Sequence, residues 1–348
     1  MNPLEQLPTP LLEWFRDNAR SLPWRDDPTP YHVWLSEIML QQTRVAAVLD
    51  YYRRFLAQAP DVPALAALPE ERLMKLWQGL GYYSRARNLQ RAAQVIVEQY
   101  GGVFPADYAA VRALPGVGDY TAGAVCSIAF GQAVPAVDGN VLRVYARIMG
   151  DDGDITAPQM KQKVTQAVGE IIPLNAAGMF NQALMELGAT VCLPNGAPLC
   201  ERCPAKGFCA ALGQGRTGEL PVKTPKKARR VEKRAVWLIF WENRVALRRR
   251  PDRGLLAGLW EFPNEMFGGQ GPEQWGIDAE LQEWGSLAKH IFTHIEWHMS
   301  ILPAEAKGPT LPPGWVWASA RELKELYAVP SAFEGALRLV RKRMERVP

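Results

Sequence analysis

The chain has 348 residues, 48% hydrophobic and 22% charged, with a formal net charge of +4. It is long enough for two domains, each with its own core, and its globular composition with no apolar run of membrane-spanning length excludes a membrane-spanning helix. The start, Met1 to Pro10, lacks the basic, apolar and small-residue succession of a signal peptide, so a cytoplasmic protein with reduced cysteines is expected.

From Thr9 to about Ala210, apolar residues recur at spacings of three and four between Pro and Gly breaks, which predicts an all-helical domain. Early in it, His32 to Thr43 reads as a helix carrying Glu37, with Val33, Trp34, Leu40 and Gln41 three or four positions away. Desolvation penalises the charged form of a carboxyl ringed by apolar side chains, so such a group holds its proton near neutrality and suits a general acid. From this segment alone, a solvent-facing glutamate at the edge of the apolar stripe fits equally well.

Residues Leu114-Pro115-Gly116-Val117-Gly118-Asp119-Tyr120-Thr121 read as a glycine-punctuated hairpin. The helix before it is capped by Asp107, and the next opens at Asp119. Gly116 and Gly118 are expected to take backbone angles closed to other residues and to aim N–H groups at phosphate. In isolation, an ordinary turn between core helices reads the same way. Asp138 follows extended Val134 to Val137 and precedes Gly139 to Val144, where helical spacing resumes. It reads as an N-cap that stays ionised while Glu37 keeps its proton, which would divide anion and acid roles between them.

Cys192, Cys200, Cys203 and Cys209 are spaced Cys-x7-Cys-x2-Cys-x5-Cys and can enclose one metal centre. A single Cys-x2-Cys pair, where four-cysteine zinc sites usually have two knuckles, places a 4Fe-4S cluster ahead of zinc. Cys126, near Val125, Ile128 and Ala129, reads as a core residue. Between Gly213 and Arg234 apolar residues thin out, and Lys223, Lys226, Lys227, Arg229, Arg230, Lys233 and Arg234 form a basic linker. A solvated tether and a phosphate contact both fit it.

Beyond the linker the period becomes two. Ala235–Trp241, a Glu242-Asn243 turn and Val245–Leu247 read as a strand hairpin, with strands at Ile291–Ile301 and Trp315–Trp317 and helices near Arg321 and Phe333. The expected layout is a helical domain at 1–212, a linker at 213–233 and a mixed domain of strands and helices at 234–348.

These features combine with Leu22-Pro23-Trp24-Arg25, Trp34 to Thr43, Gly79 to Asn88 and Val137-Asp138-Gly139-Asn140-Val141. With them the chain resembles the endonuclease III superfamily of helix-hairpin-helix DNA glycosylases, and within it the MutY-type adenine DNA glycosylases. The second domain, with Gly254 to Pro263, resembles their Nudix-like C-terminal domain. The resemblance implies a multidomain enzyme: an all-α helix-hairpin-helix glycosylase domain with a 4Fe-4S cluster, then an α+β Nudix-like domain. Its substrate would be double-stranded DNA, from which it flips and excises adenine mispaired with 8-oxoguanine or guanine, acting as a monomer away from membranes.

In that mechanism Glu37 protonates adenine N7, and later serves as base, while Asp138 stabilises an oxocarbenium-like sugar and Asn140 and Tyr120 position them. Trp24, Arg25, Leu40 and Gln182 match the adenine pocket, although some relatives carry Glu at the position of Gln182. Gln42 and Tyr82 match residues that wedge into the stack beside 8-oxoguanine, and Thr43 and Leu80 match its close contacts. Phe292-Thr293-His294 matches the loop that reads 8-oxoguanine, where the family commonly has Ser in place of Thr293. Gly116 and Gly118 would grip phosphate, and the four clustered cysteines would hold the cluster, with seven residues between Cys192 and Cys200 where the family has six.

Bifunctional relatives carry a lysine where Tyr120 stands, so base removal without an efficient lyase step is implied. The Glu array of true Nudix hydrolases is missing around Ala279 to Gly285, which argues against pyrophosphate hydrolysis. Tyr120 and the second domain argue against a bifunctional pyrimidine-damage glycosylase and lyase. The pairing of Glu37 with Asp138 argues against a non-catalytic iron–sulfur DNA-binding or redox-sensing protein, which has no use for a carboxyl on an apolar helix.

Overall fold

A computed structural model describes residues 2–225 and 228–345, so Lys226 and Lys227 of the basic run lie outside the described residues. The chain divides into two units: Met1–Ala67 with Arg87–Pro225, and Leu68–Ala86 with Lys226–Pro348.

In chain order the helices begin with α1 (Pro8–Asn18), α2 (Pro23–Asp26), α3 (Pro30–Leu40), α4 (Val45–Leu56), α5 (Val62–Ala67), α6 (Glu70–Trp77) and α7 (Ser84–Tyr100). They continue with α8 (Tyr108–Ala113), α9 (Asp119–Phe130), α10 (Gly139–Met149), α11 (Pro158–Ile171), α12 (Ala177–Thr190) and α13 (Ala210–Gly213). Proline opens α1, α2, α3 and α11, where the N–H it lacks would have no helical partner. Asp107 caps α8 by accepting from Ala110 N at 2.8 Å. In the first unit α3 and α9 are apolar around most of their circumference and are buried, and they pack on one another. Helix α10 lays Val141, Val144, Tyr145 and Ile148 into the same core as Phe180, Leu184 and Leu187 of α12.

The second unit holds a mixed sheet of β1 (Arg230–Trp241), β2 (Arg244–Arg249), β3 (Trp260–Glu261), β4 (Asn264–Met266), β5 (Ala279–Leu281), β6 (Ser286–Ile291), β7 (Ile295–Ala306) and β8 (Trp315–Ala318), followed by α14 (Ala320–Glu325) and α15 (Glu334–Met344). The main path is β3-β2-β1-β7-β5, with β4 added to β1, β6 to β7 and β8 to β2. Strands β1 and β7 run parallel from Arg230 opposite Ile295 to Phe240 opposite Glu305. Alternation along β1 sends Val236, Leu238 and Phe240 into one core with Leu337 and Val340 of α15, and Ile239 into a second with Ala246 and Ile277. Helix α6 belongs here too. Lys75 Nζ donates to Leu323 O at 2.8 Å and Tyr327 O at 3.1 Å, and Gln78 Nε2 donates to Val329 O at 2.7 Å.

Two expectations need correction. The apolar run Ile291–Ile301 is not one strand: it reverses at Phe292-Thr293-His294, where Phe292 N donates to Ile295 O at 2.8 Å and β6 returns as β7. Alternation runs from Ile295 through Trp297 and Met299 to Ile301, and only its short break at Ile291-Phe292-Thr293-His294 marks the turn. The stretch 213–233 is not a free tether either. Leu220 O accepts from Arg147 Nε at 2.8 Å, Val222 O accepts from Ile155 N at 3.1 Å, and β1 already starts at Arg230. Arg234 is turned inward, donating to Asn264 Oδ1 and stacked over Trp297, and so is not a phosphate contact.

Candidate active site

In the first unit a cavity of about 880 Å³ is lined by Glu37 of α3, Tyr120 of α9, Asp138 and Asn140 at the start of α10, and Gln182 of α12. Trp24, Arg25, Leu40, Gln42 and Thr43 line the same cavity, so the catalytic and adenine-pocket candidates come together.

Glu37 is 7% exposed, and burial pushes its carboxyl up to about 7. Tyr120 Oη donates to Glu37 Oε2 at 2.5 Å and, with the charge of Arg25, works against that rise, while the nearby Asp138 adds to it. The Tyr120 phenol is itself driven well above its usual range by burial, so it serves as a donor. Asp138 Oδ1 accepts from the backbone N–H of Asn140 at 2.8 Å and of Val141 at 2.9 Å, and Oδ2 accepts from Asn140 Nδ2 at 2.7 Å.

The capping role stands, but the expectation that capping alone keeps Asp138 low is corrected: burial raises its carboxyl against those three donors. Both acids are raised, and they are told apart by partners. Asp138 has three N–H donors favouring its anion, whereas Glu37 has one phenol and faces another carboxyl.

Asn140 is held in turn by Arg143, whose Nη2 donates to Asn140 Oδ1 at 2.9 Å and to Gly188 O at 2.7 Å. A Cβ on Gly188 would sit 2.5 Å from Asn140 Cβ, so only glycine lets α12 approach here. Arg143 was not singled out in the sequence, and neither was the buried Glu186, which accepts from Arg20 and Arg25 at the cavity wall. The available signal was the one used for Glu37, a carboxyl within an apolar helix, here Met185-Glu186-Leu187.

Gln42 and Tyr82, the two wedge candidates, both take left-handed backbone, with φ of 56° and 48°. Non-glycine residues hold that conformation at a cost of order 1 kcal/mol, and such strain clusters at functional sites. In the second unit Tyr82 is 45% exposed, and its hydroxyl lies 3.3 Å from the hydroxyl of Thr293. Leu80 is buried, and Arg85 Nη2 donates to Leu80 O and Gly81 O, which fixes that loop. Phe292 packs edge-on to Trp297, leaving Thr293 and His294 exposed at the β6–β7 turn.

At the hairpin, Gly116 takes φ 75°, and an added Cβ would meet Asn88 Cβ at 2.6 Å. Gly118 differs from expectation: its φ of −101° is open to any residue, and it precedes the N-terminus of α9 with open space where a Cβ would be. Both glycines are exposed.

Cys192, Cys200, Cys203 and Cys209 line one small cavity with Arg147, whose Nη1 donates to Cys192 Sγ at 3.2 Å. The longer Cys192–Cys200 spacing is absorbed in an exposed turn at Gly196, closed by Leu199 N donating to Val191 O at 2.9 Å. Among the described residues no three His, Cys, Asp or Glu side chains converge as a site for a metal ion. A 4Fe-4S cluster ligated by four thiolates needs sulfurs around a cavity and not about one point, which fits this donor set.

Residues 35–170 match the family described as HhH-GPD superfamily base excision DNA repair protein, and residues 235–339 match the NUDIX domain. The adenine DNA glycosylases of Rattus norvegicus and Homo sapiens are each 36% identical over 94% of this chain, with 77% and 73% of their own lengths covered. A solved thermostable thymine-DNA glycosylase superposes with a TM-score of 0.56 at 28% identity, over 61% of this chain and 97% of that one. Fold and site thus define a helix-hairpin-helix DNA glycosylase of base excision repair. The chain belongs to the adenine DNA glycosylase family.

Proposed function

We propose that the enzyme excises adenine mispaired with 8-oxoguanine, or with guanine, by hydrolysis without strand cleavage. The observation that carries this is Glu37, a buried carboxyl held near its proton at about pH 7 in a cavity large enough for a flipped base. With adenine seated against Trp24, Leu40 and Gln182 and faced by Arg25, Glu37 protonates N7 and the base becomes a better leaving group. Positive charge then develops on the sugar, and Asp138, aimed by Asn140, stabilises it. Water completes an abasic site, with Glu37 returning as base.

Among the described residues no lysine lines the cavity, which supports base removal without a Schiff base. Gly116 and Gly118 would present N–H groups to phosphate. Gln42 and Tyr82 would wedge beside 8-oxoguanine, with Thr43, Leu80, Phe292, Thr293 and His294 as its contacts. Cys192, Cys200, Cys203 and Cys209 would hold a 4Fe-4S cluster, which would cross-link the 192–209 loop and be capable of one-electron exchange.

The test incubates the protein with duplexes carrying adenine opposite 8-oxoguanine or guanine, and thymine glycol opposite adenine, with and without alkali. Alkali-dependent cleavage at adenine is expected. Alkali-independent nicking at thymine glycol alone would overturn the assignment.

A further inference from the structure

An ion cluster at the cavity wall joins Arg25 to the buried Glu186 and to Arg20, and these last two have no part in the steps above. The Glu186 side chain is 1% exposed. Its Oε1 accepts from Arg20 Nε at 2.6 Å and Arg20 N at 3.2 Å, and its Oε2 accepts from Arg20 Nη2 at 2.9 Å and Arg25 Nη2 at 2.8 Å. Burial opposes ionisation of Glu186, yet these hydrogen bonds hold its carboxyl below the usual range. Arg25 is fixed further by Nη1 donating to Arg20 O at 3.0 Å and by stacking 5.3 Å over the Phe15 ring. Buried ion pairs are weak sources of stability compared with apolar packing. Arg25 is the cation whose field pulls the proton from Glu37, and Glu186 carries the negative charge bonded directly to it.

We propose that Glu186 is a positioning residue for adenine excision: it fixes the Arg25 guanidinium in the wall of the base pocket and neutralises it, so that the acid keeps its proton. The inference rests on the reading of Glu37 as that acid. The groups facing Glu37 are Tyr120 from α9, Asp138 at the start of α10 and Arg25 from α2, and Arg20, Arg44 and Glu186 complete the charged lining.

Single-turnover excision opposite 8-oxoguanine, followed from about pH 5 to about pH 9, tests it. The wild-type rate should fall as pH rises through about 7, where Glu37 loses its proton. Glu186→Gln should move that midpoint down by about one pH unit. It should therefore slow the reaction about tenfold at about pH 8 and little at about pH 6. Glu186→Asp keeps the charge and should restore the wild-type midpoint. Arg25→Met alone should move the midpoint up, a result independent of how Glu186→Gln folds, and in that background Glu186→Gln should shift it by less than in the wild type. Slowing of Glu186→Gln by one factor at every pH, or an unchanged midpoint in Arg25→Met, overturns the proposal. A wild-type rate with no fall above about pH 7 overturns the acid role of Glu37 and this inference with it. A normal wild-type limb without a shift in Glu186→Gln overturns this inference alone.

Discussion

Glu37 binds its proton because α3 places it among Val33, Trp34 and Ile38, and the same burial makes it a liability to the fold. Its carboxyl titrates near 4.5 when unfolded and near 7 when folded. Between those values the unfolded chain holds fewer protons than the folded one, so this group's contribution to stability falls as pH rises and levels off above the folded value. Glu37→Gln removes the ionisation and should stabilise the protein at about pH 8 by on the order of 3 kcal/mol, with the gain vanishing at about pH 4. Thermal melts at the two pH values check this. The same variant should bind the mispaired duplex yet fail to excise, and substantial residual excision would remove Glu37 from the acid role.

At the scale of elements, the placement of the proposed catalytic residues Asn140 and Asp138 is set by how α10 and α12 meet. Gly188 lets the helices close until Arg143 reaches both Asn140 Oδ1 and Gly188 O, and Asn140 then holds Asp138. Gly188→Ala should push Asn140 away and lower the single-turnover rate by up to about 100-fold, the scale of effect of a displacement near 1 Å. Mispair binding should change little, and a wild-type rate would show that the contact relaxes without consequence.

These elements also show where sequence was informative. The N-caps at Asp107 and Asp138 and the apolar setting of Glu37 depend on residues within four positions, so they were legible. The upward shift of Asp138 depends on burial by the surrounding fold. The bonds from Arg20 and Arg25 to Glu186 join positions more than 160 apart, which no local pattern encodes. The β6–β7 turn, which presents Thr293 and His294, was marked only by a two-residue break in alternation with no Gly, Pro, Asn or Asp to punctuate it.

For the whole molecule, every residue lining the proposed catalytic cavity lies between Arg20 and Glu186 or just beyond at Ala189, all in the first unit, whereas Leu80, Tyr82, Phe292, Thr293 and His294 belong to the second. Of the damage-reading candidates only Gln42 and Thr43 line the cavity, so most of that reading is expected to separate from the chemistry on truncation. A chain ending at Pro225 keeps Glu37, Asp138, Tyr120, Asn140 and all four clustered cysteines, and it should still excise adenine opposite guanine. It lacks Thr293, the hydroxyl beside that of Tyr82, and should lose its preference for 8-oxoguanine over guanine in the partner strand. Residues 68–86 would be left without the carbonyls of Leu323, Tyr327 and Val329 that Lys75 and Gln78 bond, so limited proteolysis should cut there first. Comparing excision rates on the two mispairs for full-length and truncated chains decides it: an undiminished 8-oxoguanine preference in the fragment would place recognition of the lesion within the helical unit alone.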